Sequence, residues 1–166
     1  MQENVSFKNV SRILVVVLEG NLGLRISDIL SLRLSDIVRD GDRYRLEITE
    51  QKTKKKRVFT VPLVIQQYIE NYCLRNGIGK TERIFNLTER AISKQLALVC
   101  DYLGFEGIGT HSFRKWYATE IYKNNGYDIT LVQRLLQHSS ASITQRYIGI
   151  EPQRIEEAIE GHAQLL

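Results

Sequence analysis

Apolar residues recur at three- and four-residue steps along most of this chain and switch to strict alternation in one stretch, Ile37 to Val61. That change of period limits the fold more than any other feature, because side chains repeat every 3.6 residues on a helix and every 2 on a strand. Within the stretch, Tyr44, Leu46 and Ile48 alternate with charged residues, and Val58 to Val61 is β-branched and aromatic. Asp40-Gly41-Asp42 supplies a turn between Ile37-Val38 and Tyr44 to Thr49. The expectation is an α+β chain, mainly helical, with one small three-stranded antiparallel sheet.

The helical period predicts the remaining elements. Phe7, Val10, Ile13, Leu14, Val17 and Leu18 predict a helix from about Ser6 to Glu19, stopped by Gly20-Asn21. After a tight turn at Gly23, Ile26 to Leu32 forms a short helix with Ser27-Asp28 in its first turn, which puts Arg25 at its mouth. Beyond Pro62 a helix carries Val64, Tyr68, Ile69, Tyr72 and Cys73 and closes at Asn76-Gly77. Thr88 caps the next, which runs to Leu103 and Gly104. Thr110 or His111 starts a helix that ends at Asn124-Asn125-Gly126, and Asp128 opens another through Leu136. Ser139-Ser140 breaks it, a short helix reaches Tyr147, and Pro152 begins a tail in which Ile155, Ile159, Ala163 and Leu166 share one narrow face.

Composition narrows the class. A length of 166 residues suits one domain of the usual ~100 to 200 residues, and a hydrophobic share of 43% is enough for one core, so residues 1–166 are expected as a single domain. Only 2 Pro and 11 Gly exclude collagen-like or low-complexity sequence. The longest aliphatic run, Ile13 to Leu18, has six residues, far short of the ~20 that span a bilayer. Met1-Gln2-Glu3-Asn4 lacks the basic and then apolar order of a secretory signal. The expected setting is therefore reducing, intracellular and cytoplasmic. Cys73 and Cys100 both fall in apolar helical patterns and read as core hydrophobes.

Charge is more informative. Lys52-Thr53-Lys54-Lys55-Lys56-Arg57 carries five positive charges, more than the whole chain's net +4, so the basicity is local. Such a cluster fits either a solvated surface loop or a polyanion partner touched at a defined place.

Three polar features sit where a helical core would not ask for them. Gly23-Leu24-Arg25-Ile26-Ser27-Asp28 presents an arginine at the start of a helix. His111-Ser112-Phe113-Arg114 places an imidazole and a guanidinium on one helical face. His138 is followed nine residues later by Tyr147. Each has an ordinary reading by itself, as a salt-bridged arginine, a chance His and Arg pair, or a tyrosine that packs its ring and bonds its hydroxyl.

Their order is more specific. Arginine, basic hairpin, HxxR, then His and Tyr resembles the tyrosine recombinases, the family of phage integrases and Xer-type recombinases, from Leu22 to about Ile159. Leu22 to Leu32 resembles the first arginine motif, Gln51-Lys52-Thr53 the hairpin lysine, and His111, Arg114, Leu135-Leu136-Gln137-His138-Ser139 and Tyr147 the second motif. Gln137 stands where the family often has glycine, and Lys115-Trp116 where a histidine is common.

The resemblance implies a catalytic domain that cleaves and rejoins DNA through a 3′-phosphotyrosyl link, with Tyr147 as nucleophile. Arg25 and Arg114 are expected to hold the non-bridging phosphate oxygens, because planar guanidinium groups pair with them bidentately. His111 is the candidate acceptor or orienter of the tyrosine proton, and His138 a hydrogen-bond donor to the phosphate. Lys52 is the candidate general acid for the departing 5′-oxygen, with Lys54 as the alternative in that crowded hairpin. Lys54, Lys55, Lys56 and Arg57 are expected to contact DNA. Asp28 buttresses Arg25 or the helix start, or is a plain first-turn acid.

No metal and no other cofactor is expected, since arginine, lysine and histidine supply the charge that divalent ions give other nucleases. The resemblance further implies integration or excision of a mobile element, double-stranded DNA as partner, tetramer assembly on DNA by the longer parent, and exchange of the 150–166 tail between protomers. The chain begins just before the catalytic part, so a preceding core-binding domain is expected in that parent. A type IB topoisomerase-like enzyme and a non-catalytic DNA-binding regulator with the same fold are the competing readings.

Overall fold

The computed structural model describes residues 2–149 and 160–161, with side chains from residue 10 onward. The chain divides into two compact units, Met1–Tyr117 and Ala118–Leu166.

The first unit runs α1 (Gln2–Leu22), α2 (Ile26–Ser31), a 3₁₀ turn (Leu34–Asp36), β1 (Ile37–Asp40), β2 (Arg43–Thr49), β3 (Lys56–Val61), α3 (Leu63–Arg75) and α4 (Glu89–Leu103). α5 (Thr110–Asn124) begins in it and crosses the boundary. The strands lie in the order β1-β2-β3, both pairs antiparallel, as the alternating pattern predicts. Asp40 pairs with Arg43 across a two-residue loop, and Thr49 pairs with Lys56 across the longer basic connection.

The core of this unit draws Leu14, Val15, Leu18 and Leu22 from α1, Ile26 and Ile29 from α2, Leu46 and Val61 from the sheet, and Ile69, Tyr72 and Cys73 from α3. Each such side chain contributes ~1.5 to 3 kcal/mol on burial, so α1 is held mainly by this face. Cys73 and Cys100 are free and buried, as expected of small hydrophobes.

Both ends of α1 differ from expectation, the start falling at Gln2 instead of about Ser6. α1 does not stop at Gly20-Asn21 but continues to Leu22. Gly20 faces the Trp116 ring, 3.6 Å from where a Cβ would stand, and the Asn21 amide donates to the Val17 carbonyl at 2.8 Å. The stop is Gly23, whose φ of +56° ends the helix while its N–H still donates to the Glu19 carbonyl.

In the second unit, after the end of α5, lie α6 (Ile129–Leu136) and α7 (Ala141–Ile148). Asp128 caps α6 by accepting from the N–H groups of Thr130 and Leu131, and Ser140 caps α7 by accepting from that of Ile143. Gln137 ends α6 at φ +55°, a left-handed conformation that explains why a glycine is at home there. The expected tail helix from Pro152 lies outside the described residues, apart from Glu160 and Gly161, which are helical. Among the described residues no helix is long and apolar enough to cross a membrane.

Candidate active site

In the first unit the site is built on the C-terminal end of α1. A helix end leaves carbonyls without intrahelical partners and carries partial negative charge, which favours cations. Arg57 Nη1 donates to the Gly23 carbonyl at 3.2 Å and Nη2 to that of Leu22 at 3.5 Å. Arg114 Nη1 donates to the same Gly23 carbonyl at 2.5 Å. Both side chains are buried. Glycine is required between them twice over: its φ is positive, and a Cβ there would stand 2.3 Å from the Tyr117 ring.

Arg25 caps α2 in an extended conformation, which leaves its side chain at the helix mouth, and its Nη1 donates to Glu50 Oε2 at 2.6 Å. Glu50 is wholly buried at the end of β2. The same Oε2 accepts from the Thr53 hydroxyl at 2.6 Å, and Oε1 lies 3.5 Å from Arg57 Nη1. Burial pushes the Glu50 carboxyl up, but the hydrogen bonds from Thr53 and Arg25 and the nearby guanidinium charges outweigh it and hold the group below its ordinary value. Burial, aided by the charge of Arg114, brings Arg57 down to about 10.

Asp28 is buried in the first turn of α2, and its Oδ1 accepts from the backbone N–H of Gln51 at 2.7 Å. It therefore ties down the base of the basic hairpin. The expected buttress of Arg25 is Glu50, not Asp28. Lys52 is exposed in the turn between β2 and β3, and Lys54, Lys55 and Lys56 project beside it, with Lys54 at φ +57°.

Arg57 departs from the expected surface contact. It pairs with Ile48 across the sheet, shares the inward face with Val61, and lies over the Phe59 ring at 4.7 Å. The alternation that revealed the strand also puts this residue inside. His111 is exposed in the first turn of α5, one helical turn before the buried Arg114.

Glu19 is the second acidic group that the sequence did not flag. It is wholly buried on α1, and neither carboxylate oxygen has a hydrogen-bond partner among the described residues. Burial pushes it up to about 8, against the pull of Arg114 and with help from Glu89.

In the second unit His138 and Tyr147 meet edge to face, ring centroids 5.3 Å apart and planes at 83°. His138 Nδ1 lies 3.0 Å from the hydroxyl of Thr144, which is fully buried on α7, and the backbone carbonyl of His138 accepts from the Gln133 amide at 3.3 Å. Tyr147 stands in the last turn of α7, half-buried. The structure thus gathers Arg25, Arg57, Arg114 and the Lys52 hairpin in one unit, and pairs His138 with Tyr147 in the other. Among the described residues no group of three or more His, Cys, Asp or Glu could hold a metal ion.

Residues 3–154 match the family model described as "Phage integrase family". The chain is 38% identical over 139 residues to "Probable integrase/recombinase YoeC" of Bacillus subtilis, covering 79% of this chain and 73% of that protein. It is 29% identical to "Tyrosine recombinase XerA" of Pyrococcus furiosus, covering 90% of this chain but 53% of that one, so it spans about half the length of this Xer relative. Its fold resembles XerH site-specific recombinase bound to palindromic difH substrate, with a TM-score of 0.71 at 24% identity over 90% of this chain and 45% of that one. It also resembles the catalytic domain of bacteriophage HP1 integrase, with a TM-score of 0.61 at 24% identity over 91% of this chain and 84% of that one.

Proposed function

Because this chain belongs to the phage integrase family, we propose that it is the strand-cleaving and strand-joining part of a tyrosine recombinase acting on double-stranded DNA. The observation that carries this reading is the arginine cluster. Two motifs far apart in sequence bring Arg25 and Arg114 together: Arg114 shares the Gly23 carbonyl with Arg57, Arg57 and Arg25 flank the Glu50 carboxylate, and Thr53 ties the hairpin of Lys52 to it. A site with such an excess of guanidinium charge suits a phosphodiester whose non-bridging oxygens gain negative charge under attack. Relatives named as recombinases and structures solved with DNA support the same substrate.

In this reading the Tyr147 oxygen attacks phosphorus, the bond from phosphorus to the 5′-oxygen breaks, and the 3′-phosphate is left on the tyrosine. A phenol, whose reference pKa is ~10, must lose its proton during attack, and His111 accepts or directs it. Lys52 gives a proton to the leaving 5′-oxygen. His138, positioned by Thr144 and set edge to face with Tyr147, serves the phosphate as a hydrogen-bond donor. The energy of the ester stays in the phosphotyrosyl bond, so attack by another 5′-hydroxyl reverses the step. Lys54, Lys55 and Lys56 contact the DNA backbone. No metal takes part. In a longer parent the reaction proceeds in a tetramer on DNA and serves integration or excision of a mobile element.

Tyr147→Phe tests this directly. Incubated with a pool of nicked suicide duplexes of randomised sequence, the wild-type chain should form a gel-stable covalent adduct, and the variant should bind the pool equally while forming none. Adduct from the variant would remove Tyr147 from the role. Binding without adduct by the wild type would favour a non-catalytic regulator.

A further inference from the structure

Glu50 is asked to do more than neutralise a guanidinium. Its backbone closes the turn that holds Lys52, since the Glu50 N–H donates to the Lys55 carbonyl at 3.0 Å and the Glu50 carbonyl accepts from the Lys54 N–H at 3.0 Å. Its side chain faces the other way, to Arg25. Thr53, next to Lys52, reaches back to the very oxygen that Arg25 holds, both at 2.6 Å. The neighbouring Gln51 N–H is fixed to Asp28 on α2, the helix that Arg25 caps. The turn is thus stitched at Gln51 and Thr53, on both sides of Lys52, to the helix that presents Arg25.

We infer that Glu50, through Thr53, is a positioning residue that sets the Lys52 turn in register with Arg25, so that proton delivery to the leaving oxygen occurs on the phosphate that Arg25 holds. The inference rests on the reading of Lys52 as general acid. A buried carboxylate in a low-dielectric site is costly unless its oxygens are occupied. Arg25 and Thr53 hydrogen-bond Oε2 of this one and the Arg57 guanidinium lies 3.5 Å from Oε1, so it stays ionised and in place. The four-carbon lysine stem is flexible, and fixing its backbone on both sides restricts where the ammonium can reach. Had Glu50 served only to balance charge, Arg25 and Arg57 would suffice, and the hydroxyl of an exposed turn would have no reason to share its oxygen.

A substrate with sulfur in place of the 5′-bridging oxygen separates these roles, because a thiolate leaves without needing a proton. The duplex is one that the wild-type chain cleaves from the randomised pool, prepared in oxygen and sulfur forms. Thr53→Val keeps the side-chain shape and leaves the Glu50 and Arg25 pair intact, while it removes the bond to Glu50 and the longer one, 3.3 Å, that the hydroxyl accepts from the Lys55 N–H. It should cleave the oxygen substrate at least about tenfold more slowly than wild type and the sulfur substrate at nearly the wild-type rate, with Thr53→Ser close to wild type on both. Glu50→Gln should also be slowed on both substrates through Arg25, but less on sulfur than on oxygen. Wild-type rates for Thr53→Val on oxygen DNA, or equal slowing on the two substrates, would overturn the inference. Should Thr53→Val lose its fold, judged by circular dichroism, Thr53→Ala is read by the same two rates. Failure of the wild type to form adduct with either substrate would instead overturn the proposed function, and this inference with it.

Discussion

Glu19 occupies an α1 position flanked by the core residues Leu18 and Leu22, with neither oxygen hydrogen-bonded among the described residues. Burial raises its carboxyl from 4.5 to about 8, despite the opposing charge of Arg114. Between those two values the folded chain keeps a proton that the unfolded chain has released. Stability is therefore full below about 4.5 and falls as pH rises toward 8, with a limiting slope of ~1.4 kcal/mol per pH unit. Glu19→Gln should match the wild type near pH 5 and exceed it at pH 8, as urea unfolding at several pH values will show. Parallel curves for the two proteins would mean that the carboxyl is ionised in the fold. Nothing in the sequence marks this residue, because a glutamate within an aliphatic helix reads as part of the solvent face. Arg57 differs: its alternation with Phe59 and Val61 was visible, but the run of lysines before it argued for the surface. Arg25, Arg114, His138 and Tyr147 stand out in the sequence by their order and spacing, and the structure seats the first two at the end of α1 and pairs the last two. Glu50 does not stand out, since a strand-end glutamate beside lysines looks like ordinary surface charge.

At the scale of elements, helix caps and strand period were readable where one residue type answers one backbone need. Thr88, Asp128 and Ser140 accept from first-turn N–H groups, and Gly104 ends α4 at φ +71°. The end of α1 was misplaced because two glycines stand three residues apart and only one of them stops the helix. Gly20 faces Trp116 with room for a Cβ at ordinary contact distance, while Gly23 has a positive φ and the Tyr117 ring against it. Opposite outcomes follow. Gly20→Ala should be neutral or slightly stabilising, since its Cβ would make ordinary contact within a helix. Gly23→Ala should cost at least about 2 kcal/mol, from left-handed strain and the forced movement of Tyr117, and it should displace the carbonyl that seats Arg57 and Arg114. Denaturant unfolding of both variants checks the contrast, and equal costs would show that the helix ends elsewhere.

At the scale of the whole molecule, the order of motifs along the chain carried more information than any one of them. Arginine, hairpin lysine, HxxR, histidine and tyrosine appear in one order over nearly the full length, and the family match over residues 3–154 agrees with it. The chemistry proposed to unite them is transfer of a DNA phosphate to a tyrosine, with side-chain cations supplying the charge stabilisation. Covalent trapping joined to peptide mapping tests this most directly. The 166-residue chain is incubated in EDTA with the randomised pool of nicked suicide duplexes, digested with protease and nuclease, and analysed by mass spectrometry. The expected product is a nucleotide adduct on the phenol of Tyr147, formed to the same extent with EDTA or with Mg²⁺. An adduct on another residue, or cleavage that appears only when Mg²⁺ is restored, would contradict it.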